Sequence, residues 1–129
     1  MATWAEVKRT IRQNFKVADE SQDILKLIFE TNDDRTQIVF IEKTQNADGE
    51  LWVQISSPIG VIDTSEIDDA LEIVGEKLCG GLTKENGTHY VRHSMSADDL
   101  SYDELIWALS IVYETADILE EKFIGGDEN

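Results

Sequence analysis

Basic residues, proline, cysteine and long apolar runs are all scarce in this chain, and each shortage removes a class of protein. Eleven Lys and Arg stand against 27 Asp and Glu, a formal net charge of −16 over 129 residues. A surface of that sign repels phosphate backbones and anionic headgroups, so neither nucleic acid nor a membrane surface is an expected partner. The single cysteine, Cys79, cannot close an intramolecular disulfide, which suits a reducing cytoplasm. No apolar run approaches the roughly 18 residues that a membrane-spanning helix needs. The opening MATWAEVKRT places Glu6, Lys8 and Arg9 where a secretory signal would be apolar. A soluble, cytoplasmic protein is the expectation.

Catalytic equipment is also missing. There is no Gly-x-Ser-x-Gly elbow and no Gly-Lys-Ser/Thr phosphate loop, and Gly80-Gly81 closes a helix instead of opening one. His89 and His93 flank Tyr90-Val91-Arg92, a strand-forming context that separates them by roughly 13 Å, too far to share one zinc ion. Cys79 falls at the carbonyl end of a helix, where the dipole disfavours a thiolate. Asn46-Ala47-Asp48-Gly49 resembles the middle of a calcium loop, but Thr44 and Ile55 stand where carboxylate ligands belong, so a turn is expected. Asp63, Glu66, Asp68 and Asp69, and likewise Asp98, Asp99, Asp103 and Glu104, cluster at helix starts, as helix dipoles prefer. No catalytic, metal or cofactor-binding residue is expected, and no cofactor.

What the chain does hold is 41% apolar residues in folding patterns, enough for one packed core. A single domain over residues 1–124, followed by a frayed acidic tail at 125–129, is expected. Thr3 and Glu6 stand in capping-box register ahead of Trp4, Val7, Ile11 and Phe15, one stripe of a helix. Its other side carries Lys8, Arg9, Arg12 and Lys16. Three strands are expected at Ile24 to Glu30, Gln37 to Lys43 and Leu51 to Ser57, joined by hairpins at Asn32-Asp33-Asp34 and Asn46 to Gly49. Pro58 and Gly60 are expected to end the third. A second helix starts near Asp63 with Ile67, Leu71, Val74 and Leu78 as its apolar stripe. Leu82 to Glu85 and Thr88 to Ser94 form a hairpin about Asn86-Gly87. A last helix begins at Ser101, with Glu104 in capping register and Leu105, Leu109, Val112, Ala116, Leu119 and Phe123 as its stripe. Ile106, Trp107, Ile111, Tyr113 and Ile118 form a second stripe, which calls for central burial or a partner. The order α-βββ-α-ββ-α implies an α+β fold, an antiparallel sheet packed by helices.

That order, the strand Leu51-Trp52-Val53-Gln54-Ile55-Ser56-Ser57-Pro58-Ile59-Gly60, the segment Tyr90-Val91-Arg92-His93-Ser94 and the helix Leu105 to Leu119, with Ala116-Asp117 inside it, resemble the YbjN-type family of small bacterial proteins. The fold of that family is like that of type III secretion chaperones. The resemblance implies a non-enzymatic, protein-binding role, chaperone-like or regulatory, with a client chain or a second copy as partner. Trp52, Tyr90, Trp107, Ile111 and Tyr113 are the candidate contacts, since aromatic and large apolar residues concentrate interface energy. The first sixteen residues carry net +3 and residues 95–129 carry net −9, so a basic first helix and an acidic last helix offer complementary faces. The alternative is a small-ligand binder or enzyme built from carboxylates and His93 in a pocket.

Overall fold

The computed structural model describes residues 3–31 and 34–125. Six antiparallel strands, β1 (Val17–Glu20), β2 (Ile24–Glu30), β3 (Thr36–Gln45), β4 (Leu51–Gly60), β5 (Gly81–Glu85) and β6 (Thr88–Ser96), lie in the spatial order β1-β2-β3-β4-β6-β5. Three helices complete the α+β fold: α1 (Trp4–Asn14), α2 (Ile67–Gly75) and α3 (Tyr102–Glu120), the last running into a π turn over Glu121–Gly125. The meander has four strands, not the expected three. Val17–Glu20 lacks an apolar alternation because only Val17 is even half-buried, so it has the signature of a solvated edge. The expected Asn32-Asp33 part of the β2–β3 turn and the tail at 126–129 lie outside the described residues.

Pro58 does not end the third strand of the expectation. It sits inside β4 opposite Tyr90 of β6, and the strand runs on to Gly60. The pairing of β4 with β3 stops at Ser56 and Phe40, so no ladder bond is asked of the missing N–H. The Pro58 carbonyl instead accepts from Gln37 Nε2 at 2.8 Å. A bulge between Pro58 and Gly60, with Gly60 at a φ of 118°, then turns the chain out of the sheet. At the other hairpin, Asn86 and Gly87 both take positive φ, the turn that an Asn-Gly pair favours between twisted antiparallel strands.

Cap chemistry sets the helix starts. Thr3 Oγ1 accepts from Glu6 N and Ser101 Oγ from Glu104 N, each at 3.1 Å. Asp63 caps a 3₁₀ turn over Thr64–Glu66 before α2 begins, accepting from the Ser65 amide, which holds its carboxyl below the usual range. The expected stripe of α2 is corrected: Ala70 and Val74 are the buried positions, Leu71 is exposed, and Leu78 is exposed beyond the helix end. The short helix stops at Gly75, before it can carry Leu78 back to the core. Among the described residues, no helix is long and apolar enough to cross a membrane.

All of the buried apolar side chains form one cluster on one face of the sheet. Strand register aligns Leu25, Ile41, Ile55 and His93 in one row and Leu27 with Val39 in the next. Leu105, Ala108, Leu109, Val112, Ala116 and Leu119 of α3 lie over that face, and Trp4, Val7 and Ile11 of α1 join them. Trp4 Nε1 donates to the Gln22 carbonyl at 2.9 Å, fixing α1 to the β1–β2 turn. Ile55, fully buried in a central strand, tests this core: Ile55→Ala is expected to cost roughly 2–5 kcal/mol by urea unfolding, without a change of fold by circular dichroism.

Candidate functional site

Register places every strand side chain on one of two faces, and the face away from the helices carries apolar side chains among polar ones such as Lys26, Glu42, Gln54 and Arg92. An antiparallel sheet with one solvated face ordinarily alternates apolar and polar residues. Here Ile24 and Ile28 of β2, Ile38 and Phe40 of β3, Trp52 and Pro58 of β4 and Tyr90 of β6 all point outward. Ile28 pairs with Ile38, and Pro58 with Tyr90, which builds an apolar band across four strands. Ile28 keeps 50% of its surface in solvent, with Ile38 of β3 on one side and no paired β1 residue on the other. Arg92 lies on this face over the Tyr90 ring, 5.7 Å from its centroid, and bonds Glu85 at 2.6 Å.

The five expected contact residues fall into two groups. Trp52 and Tyr90 share the open face but stand at opposite ends of β4, Trp52 opposite Thr44 and Ser96, Tyr90 opposite Pro58 and Thr83. Trp107, Ile111 and Tyr113 are on α3, on the other side of the sheet. Tyr113 stacks on Phe29 at 4.4 Å between ring centroids, and Phe15 meets Phe29 edge-on at 5.7 Å. Burial, with the charge of Glu114, pushes the Tyr113 hydroxyl pKa up. Ile111 is half-buried, and Trp107 is 47% exposed.

Sequence reasoning missed a buried ionic cluster. Arg35, on the β2–β3 connection, is 6% exposed and donates from Nε to Asp117 Oδ1 at 3.1 Å and from Nη2 to Glu120 Oε1 at 3.2 Å. Burial opposes its charge, but the hydrogen bond to Asp117 and the fields of Asp117, Glu120 and Glu121 outweigh that and hold the guanidinium pKa above its usual value. The cluster ties the hairpin end to the last turns of α3. A signal existed in the sequence: Asp117 adjoins Ala116 in the apolar stripe of α3, where an unpaired carboxylate is costly. Beside the cluster, a cleft of about 440 Å³ is lined by Glu30, Thr31, Tyr113, Glu114, Asp117 and Ile118.

His89 and His93 occupy the helix-facing side of β6. His89 is buried, and its Nδ1 accepts from the Ile62 amide at 3.0 Å. Burial pushes the His93 pKa down. Neighbouring Arg92 points to the other face, so the two do not meet in one pocket. Burial also pushes the Cys79 thiol pKa up, away from a reactive thiolate. On the basic side of α1, Arg12 is bonded to Glu20 of β1, and this bond holds the Glu20 carboxyl below its usual range. Among the described residues, no group of three or more His, Cys, Asp or Glu is arranged to hold a metal ion.

No protein-family model matches the chain, and no match was found among curated proteins. Two outcomes follow from the side chains alone. Arg35→Ala strands two buried carboxylates and is expected to cost roughly 3–5 kcal/mol by urea unfolding; Arg35→Ala with Asp117→Ala should cost less than the sum of the single changes. For His93, the unfolded chain takes up a proton near pH 6.5 that the folded chain refuses, so stability falls as pH drops through that value. The drop in urea midpoint between about pH 7.5 and 5.5 should be smaller in His93→Gln than in the wild type.

Proposed function

We propose that this protein is a non-enzymatic protein-interaction module, chaperone-like or regulatory, that works in the cytoplasm and binds a partner chain on the open face of its sheet. The observation that carries this reading is the outward band of Ile28, Ile38, Phe40, Pro58 and Tyr90, apolar where a solvated sheet face is ordinarily polar. Aromatic residues set among aliphatic ones give such a surface its binding energy, and the polar residues that rim it give orientation. The resemblance to the YbjN-type family, with its type III secretion chaperone-like fold, agrees with a role of this kind. A homodimer through Trp107 on α3 is compatible with it, since that residue is remote from the open face.

A second reading, a small-ligand binder, draws its support from the carboxylate-lined cleft between β2 and α3, not from His93. The two differ in what mutation of the open face does. With Ile28→Ser, Ile38→Ser and Phe40→Ser combined, the protein is expected to keep its circular dichroism spectrum and to lose a protein that the wild type retains on affinity capture. Retention of the same proteins by both forms, or of none by the wild type, overturns the protein-binding reading.

A further inference from the structure

We propose that the cleft at the free end of β2 holds a lysine or arginine of an extended partner segment whose apolar residues lie on the neighbouring open face. This rests on the protein-interaction reading and names the chemistry of the partner. Pairing of β1 with β2 stops at Leu27, and among the described residues no strand pairs with β2 on that side beyond this point. Thr31 N donates to the Arg35 carbonyl at 2.8 Å, on the β3 side. Successive residues of a strand direct their amide groups to opposite edges, so the N–H and C=O of Glu30 point away from β3, toward the side without a strand. That edge forms one wall of the cleft, and Tyr113, Glu114, Asp117 and Ile118 of α3 form the other. A strand edge facing a side-chain wall is the setting in which an extended peptide adds to a sheet, with backbone bonds for affinity and a pocket for choice.

Charge selects the occupant. Glu30, Glu114 and Asp117 line the cleft, and the nearby cation, Arg35, is already bonded to Asp117 and Glu120. The Thr31 Oγ1 atom is buried beside them with no hydrogen-bond partner among the described residues, and a hydroxyl there can accept from an ammonium or guanidinium. On the open face Arg92 is bonded to Glu85, whereas Lys26, Glu30 and Glu42 have no ion pair among the described residues, so two open carboxylates stand against one open cation. Ile28 precedes Glu30 by two residues on the same face, so the apolar band runs into the acidic cleft. A second copy of the chain is a poor occupant. It carries the same −16, and its basic helix α1 keeps Trp4, Val7 and Ile11 in its own core.

Selection from a displayed library of random decapeptides tests this on the intact protein. Peptides enriched on the wild type should carry Lys or Arg beside apolar residues. Glu30→Gln with Glu114→Gln, both exposed and outside the Arg35 cluster, should weaken binding of those peptides roughly tenfold, the worth of one charge-assisted hydrogen bond. Glu72→Gln with Glu76→Gln, an equal change of charge on and just after α2, should leave it unchanged. Apolar enrichment without a preference for Lys or Arg overturns the inference and leaves the protein-binding reading in place, as does an equal loss in both double variants, which marks a general field. No enrichment at all overturns both.

Discussion

Burial of the α3 stripe against a single face of the sheet is the constraint on which the rest depends. Leu105, Leu109, Val112, Ala116 and Leu119 need an apolar surface, and the row of Leu25, Ile41 and Ile55 supplies it. Once three helices share that face, the other one is left without cover. In most two-layer proteins that outer face is polar. Here the same strands that supply the core also turn isoleucine, phenylalanine, tyrosine and tryptophan outward, and these residues give the open face its apolar band.

The buried Arg35 plays a different part. Its two carboxylate partners belong to α3, so the ionic cluster fixes where the last turns of that helix lie relative to the β2–β3 hairpin. A buried ion pair of this kind contributes little net stability, because both charges leave water, but losing one partner is expensive. The cost secures geometry. The cleft exists because Tyr113, Glu114 and Ile118 are held beside the free end of β2, and the cluster sits directly behind them. The apolar stack of Phe15, Phe29 and Tyr113 fastens the same corner from the core side.

The sequence is a good guide where local chemistry decides. Ser101 with Glu104, Thr3 with Glu6 and Asn86-Gly87 each satisfy a backbone requirement within a few residues, and all three act in the structure as their spacing implies. It is a poor guide where distant partners decide. Val17–Glu20 becomes a strand only because β2 lies beside it, and Pro58 is tolerated in β4 because β3 has stopped pairing by that point, so nothing there asks for its missing N–H. Leu71 and Leu78 follow the helical period but are exposed, since α2 is too short to use both. The open face is written in the alternation of Ile24, Lys26, Ile28 and of Ile38, Phe40, but which phase faces the helices depends on register, a tertiary property. Arg35 gives no local sign at all of the carboxylates that it meets more than eighty residues on.

The central claim is that partners meet the sheet and not the helices, and photo-crosslinking inside the cell tests it most directly. Benzoylphenylalanine placed at Phe40 on the open face, or at Trp107 on the outer side of α3, reports what lies against each position. The account predicts a crosslink to a partner protein at Phe40 and none to that partner at Trp107. A crosslink at Trp107 with none at Phe40 would contradict it and move the interface to the helix layer.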